Sequence, residues 1–265
     1  MPYVETTVGR LFVQTSGQGP TVALWPCLLG DGGIWHAQVR ALATRARTVV
    51  VDGPGHGRSG APAASFTLEQ CADAWVQVLD ATGADEPAVF AGLSWGAMVA
   101  MRVAIRHPAR VRALALFSGI ATAPQRPARM RFAAFAALLR TVGVAPWLVP
   151  RLVDMMVSPS CSPASRDAIT RMFARCASLD RTALYRAARA VLVEPSHILG
   201  ELPRVQAPAM VCVGADDRVT PVSCARRIAQ ALPHGQVHVI ERAGHLLALE
   251  APDEVSARIA GALDG

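Results

Sequence analysis

Residues 86–108 read EPAVFAGLSWGAMVAMRVAIRHP. Residues 88–91 form an apolar run of strand length. From 97 to 107 the apolar residues Met98, Met101, Val103 and Ile105 fall at helical spacing. Between the two lies Gly92-Leu93-Ser94-Trp95-Gly96, a G-x-S-x-G motif in the strand–turn–helix setting that the motif requires. So tight a turn leaves no room for bulk two residues before or after the serine, and glycine fills both places. The serine is then expected in a strained backbone conformation with its hydroxyl raised above the sheet. The next helix would aim its free N–H groups and positive dipole end at whatever sits over Ser94. Gly and Ser are also common in ordinary strand–helix loops, so the motif needs support from the rest of the chain.

The 265 residues are enough for one domain with a large core. No apolar run reaches the ~18 residues of a membrane span. The start, Met1-Pro2-Tyr3-Val4-Glu5, lacks a basic stretch followed by an apolar one, so a cytoplasmic location is expected. The six cysteines are scattered without a C-x-x-C pair and read as buried free thiols. All 26 basic residues are arginine. The absence of lysine excludes Schiff-base chemistry with pyridoxal, a Ser–Lys dyad and a Walker A loop. Charge is unevenly placed. Residues 121–200 hold 11 arginines against four acids, a net +7, and the remainder nets −1.

Outward from the serine turn, the chain alternates strand and helix. Strands are expected at 3–7, 10–15, 21–25, 48–51, 88–91, 111–117, 209–213 and 237–240. Helices are expected at 35–43, 67–81, 97–107, 222–231 and 252–263, with Thr67 capping its helix. Glycine-rich loops follow the third strand (26–33) and the fourth (52–60). Such alternation implies an α/β fold, a mostly parallel central sheet of about eight strands with helices on both faces. Four helical stretches at about 127–142, 146–156, 163–177 and 181–193 interrupt the alternation. They read as an inserted helical lid, 121–200, at the carboxyl edge of the sheet, between core segments 1–120 and 201–265.

A serine hydroxyl is a weak nucleophile and needs a base, which in turn needs an orienting acid. Both fit beyond the expected lid. Asp216 and Asp217 follow one strand, and His245 follows the next. His238 alternates with valines in a strand and reads as structural. No cluster has metal-ligand spacing, and neither a metal nor another cofactor is expected.

Taken together, DGPGHGRSG at 52–60, the Ser94 turn, GADDRVTP at 214–221 and AGHLLALEAP at 243–252 resemble the α/β-hydrolase fold superfamily over nearly the whole chain. The resemblance implies a triad of Ser94, Asp217 and His245, since the family's acid lies three residues after the glycine and four before the proline. It implies oxyanion donors at the backbone N–H groups of Trp95 and Leu28, and a supporting role for His56 in its loop. Many relatives carry His-Gly in the loop after the third strand; here Pro26-Cys27 stand there. That loop, with Trp35 and Gln38, is similar to the one in 3-oxoadipate enol-lactonases. The implied activity is a serine esterase or lactonase working through an acyl-enzyme. A thioesterase or C–C bond hydrolase on the same triad is the alternative, and a non-catalytic ligand-binding member is a third reading. Serine rather than aspartate at position 94 sets the chain apart from haloalkane dehalogenases and epoxide hydrolases.

Trp25, Phe132, Phe135, Trp147, Met155 and Met156 are the candidates for a substrate pocket. The lid's arginines suggest an anionic small-molecule substrate or an acidic carrier protein, against the plain alternative of solubilising helix faces. The reading includes no nucleic-acid or membrane partner and leaves the oligomeric state open.

Overall fold

The structure, a computed structural model, describes residues 2–264. Strands β1 (Tyr3–Thr6) and β2 (Gly9–Ser16) form an antiparallel hairpin, followed by β3 (Thr21–Trp25), α1 (His36–Leu42), β4 (Arg47–Val51) and α2 (Leu68–Ala81). Then come β5 (Ala88–Leu93), α3 (Trp95–Arg106) and β6 (Val111–Phe117). Four helices follow without a strand: α4 (Arg126–Val142), α5 (Val149–Met156), α6 (Pro163–Arg175) and α7 (Arg181–Ala188). The chain closes with β7 (Ala209–Gly214), α8 (Val222–Ala231), β8 (Gly235–Ile240), the short α9 (Leu247–Glu250) and α10 (Pro252–Asp264).

All eight strands join one sheet in the order β1-β2-β4-β3-β5-β6-β7-β8. Pairings from β4 to β8 are parallel, and those of β1 and β2 are antiparallel. The expected α/β fold is therefore what forms. β3 and β5 run side by side, yet the chain leaves β3 toward one edge of the sheet and leaves β5 toward the other. Their carboxyl ends thus meet at the switch point of an open sheet, the crevice where ligands of such folds bind. β3 and β5 are buried at every position, as strands covered on both faces must be.

Local chemistry sets most boundaries. Thr67 accepts from the Gln70 N–H while the Gln70 side chain accepts from the Thr67 N–H, a reciprocal cap that starts α2 one residue later. The expected helix from 146 instead begins at Val149. Pro150 lacks an N–H and is tolerated only in the first turn, so the helix cannot extend back to 146. After Arg175 and Ala188 the backbone changes hydrogen-bond register, into a 3₁₀ turn (Cys176–Ser178) and a π turn (Arg189–Val193), inside spans expected to be plain helix.

One long-range tie is invisible to periodicity. Arg102 on α3 is buried, and its guanidinium donates to Glu69 of α2 and to both the carbonyl and hydroxyl of Ser196. The end of the four-helix block is thereby bound to the helix that follows Ser94. Among the described residues no helix is long and apolar enough to cross a membrane.

Candidate active site

Ser94 sits between β5 and α3 with φ 56° and ψ −105°, a left-handed conformation that a residue with a side chain adopts only when its surroundings enforce it. The enforcement is visible. A Cβ on Gly92 would lie 2.1 Å from the Gly96 carbonyl carbon, and one on Gly96 would lie 2.1 Å from the Trp25 carbonyl oxygen. The Ser94 N–H donates to Phe117 O at 2.7 Å, which pins the turn to β6.

The Ser94 hydroxyl lies 2.9 Å from His245 Nε2. On the far side of the ring, His245 Nδ1 lies 2.9 Å from Asp217 Oδ2 and 3.2 Å from Oδ1. Asp217 also accepts from the Val219 and Thr220 N–H groups and the Thr220 hydroxyl, at 2.8–2.9 Å. Burial by itself would push this carboxyl up. The hydrogen bond and charge of His245, with the Thr220 donors, outweigh it and hold the group below its ordinary value. Asp216, one residue earlier, turns the other way and accepts from the Ser158 hydroxyl. Thus Ser94, His245 and Asp217 come together, and Asp216 does not join them.

Residues 26–33 follow β3 over the Ser94 turn. The Gly96 N–H donates to Pro26 O at 3.1 Å, so this loop is fastened to the first turn of α3. Leu29 has φ 61°. The N–H groups of Leu28 and Trp95 have no hydrogen-bond partner among the described residues. The loop is held from below by Asp52, whose carboxylate accepts from the Gly32 and Arg58 N–H groups. From above, Cys176 Sγ reaches Leu29 O at 3.1 Å and Arg175 pairs with Asp31. His56 is buried edge-on to Trp95, with Nδ1 3.1 Å from Pro54 O. Burial lowers its pKa to about 4, so it is a neutral packing residue.

The six pocket candidates are dispersed. Trp25 is wholly buried in an aromatic cluster with Trp75 and Trp95, which withdraws it from any ligand. Trp147 and Met155 are about half exposed, at 52% and 47%. Apolar positions 149, 152, 153 and 156 make the inward stripe of α5, and Met155 falls outside it. Phe132 is half-buried, while Phe135 and Met156 pack against the core. The Met156 carbonyl accepts the His245 N–H at 2.7 Å.

A cavity of about 450 Å³ lies beside the loop after β3, lined by Gly30, Asp31, Arg58 and Arg175 among others, but by no member of the triad. Among the described residues no group of three His, Cys, Asp or Glu is placed to hold a metal ion. Thr220, which bonds to Asp217, and Ser158 and Glu250, which bond to Asp216 and to the backbone beside His245, carry no motif that marks them in the sequence. Only their proximity to Asp217 or His245 in the chain, or their place in the turn after α5, hinted at them.

A sequence profile of the family described as alpha/beta hydrolase fold matches residues 20–252. The chain is 31% identical over 242 residues to a pimeloyl-acyl-carrier-protein methyl ester esterase of Chromobacterium violaceum, spanning 89% of this chain and 91% of that one. Among solved structures it is similar to a thermophilic esterase from Thermogutta terrifontis, with a TM-score of 0.91 and 26% identity over 99% of this chain and 97% of that one. It is similar also to an enol-lactonase from Burkholderia xenovorans, with a TM-score of 0.87 and 25% identity over the whole of both chains.

Proposed function

The chain belongs to the α/β-hydrolase fold family, and from that premise we propose that it is a serine hydrolase of carboxylic esters or lactones. The observation that carries the reading is the unbroken line from Ser94 Oγ through the His245 ring to Asp217, with 2.9 Å at each link.

In this reading Ser94 Oγ attacks the acyl carbon as its proton passes to His245 Nε2. Asp217 holds the tautomer with the proton on Nδ1 and stabilises the ring when it is charged. The Leu28 and Trp95 N–H groups, free of other partners among the described residues, receive the oxyanion. Collapse of the tetrahedral species breaks the ester bond, and the leaving alkoxide takes the proton from Nε2. Water then repeats the cycle on the acyl-enzyme, releasing the acid and restoring Ser94. The four helices between β6 and β7 act as the lid. Ester and lactone substrates agree with three similar proteins, an esterase for a carrier-linked methyl ester, a thermophilic esterase and an enol-lactonase; other relatives are described as putative carbamate hydrolases.

An anionic substrate, or an acidic carrier that holds it, is the finer part of the proposal. α4 bears Arg126, Arg129, Arg131 and Arg140 without one acid, and none of the four makes an ion pair among the described residues. Two of them, Arg126 and Arg129, sit in the first turn, where the helix dipole disfavours positive charge, so their placement works against the helix's own stability. The test is kcat/KM for an ester whose acyl chain ends in a carboxylate, for its methyl-capped analogue, and for a carrier-bound form. Lactone, thioester and C–C substrates complete the panel. The anionic and carrier-bound esters should lose rate on the order of tenfold from low to high salt, while the neutral analogue holds steady. Equal, salt-insensitive rates would leave the arginines as solubilising surface. Turnover of thioesters or C–C substrates far above all esters and lactones would replace the ester reading.

A further inference from the structure

Glu250 ends α9, and its carboxylate has no basic partner among the described residues. It is satisfied by backbone instead. Oε2 accepts the Ser158 N–H at 2.8 Å and the Gly244 N–H at 3.0 Å, and Oε1 accepts the Leu246 N–H at 3.1 Å. Gly244 and Leu246 are the two residues that flank His245. The N–H of His245 itself goes to Met156 O. Three successive peptide groups around the base are therefore fixed, two by one carboxylate and one by the end of α5.

The approach of the helical block at this point is close. A Cβ on Gly244 would lie 2.6 Å from both Met156 O and Ser158 N. Ser158 is a junction. Its N–H goes to Glu250 beside His245, and its hydroxyl goes to Asp216 beside Asp217. One residue of the block thus bonds both to the carboxylate that holds the His245 backbone and to the chain neighbour of Asp217.

We propose that Glu250 is a positioning residue for the base, holding the backbone on both sides of His245 and, through Ser158, locking the helical block onto the histidine loop. The inference rests on His245 being the base. A carboxylate that merely capped the start of α9 would accept one N–H, that of Leu246. Here one carboxylate spans the histidine and stands near the ring that becomes positively charged during turnover. Burial pushes the Glu250 carboxyl up, and the three N–H groups and His245 oppose this. The other charged or titratable groups around the junction are Cys161 and Arg166 of the block, and Asp216, Asp217 and Arg218 of the β7–α8 loop.

The test compares wild type with E250Q and E250D on one ester across pH, with H245A as control and rates normalised to folded protein. E250Q has a single acceptor oxygen and no charge, so at least one flanking N–H faces an amide donor. Its kcat should fall about tenfold with KM within about twofold. Its acid limb should move to lower pH by about half a unit, because an anion that favours the protonated ring is gone. E250D keeps the charge and shortens the reach, so kcat should fall with the acid limb in place. A lower melting temperature with wild-type kcat and acid limb in E250Q would make Glu250 a stability cap and overturn the proposal. Should E250Q not fold, E250D decides: wild-type kcat overturns the proposal, and a loss with the limb unmoved upholds it. An active H245A would instead remove the base assignment on which the inference stands.

Discussion

Replacing Ser94 or His245 by alanine should each reduce kcat by on the order of 10⁶-fold, and the double replacement should be little worse than either. The 2.9 Å contact between Oγ and Nε2 makes the two residues one device. Without the base the hydroxyl stays protonated, and without the hydroxyl the base has no proton to take. What rate survives would come from the oxyanion donors and from substrate binding, which neither replacement touches. Losses that add in the double variant would mean that the two residues act separately, and the proposed roles would fail.

Asp217→Asn should lower kcat by about 10⁴-fold while the protein stays folded. The substituted amide could still meet the ring, but its N–H₂ facing Nδ1 would favour the tautomer with the proton on Nε2, which cannot accept from Ser94. The Val219 and Thr220 N–H groups that now converge on Oδ1 would bias the remaining amide oxygen toward them. Asp216→Asn should cost less than about tenfold, since Asp216 contacts the Ser158 hydroxyl and no part of the triad. A reversed ranking, measured as kcat on the same ester, would contradict the assignment of the acid.

The alternation of elements was legible because each has its own local cause. The apolar runs of β3 and β5 are strands buried on both faces. The Thr67–Gln70 cap is written in four consecutive residues. Gly92 and Gly96 declare a turn that admits no side chain. Ser94, Asp217 and His245 each lie in a loop at the carboxyl end of a parallel strand, and the choice of Asp217 over Asp216 rested on the resemblance to the family.

Elsewhere the relevant partner lies far along the chain. Glu250 meets Ser158 across 92 residues, and Arg102 meets Ser196 across 94. No pattern within a single helix contains such contacts. The apolar residues of the helical block show the same limit. Their spacing marks an amphipathic helix but not what its apolar face covers, and Trp147 and Met155 lie outside the buried stripe altogether.

If His245 activates Ser94 as a nucleophile, a fluorophosphonate probe should find it. The reagent forms a phosphorus–oxygen bond to an activated serine and expels fluoride. Intact-protein mass after labelling should show one equivalent of adduct, with peptide mapping placing it on Ser94. S94A should remain unlabelled, and H245A should label orders of magnitude more slowly. An adduct on another residue, or an H245A variant that labels as fast as wild type, would contradict the account.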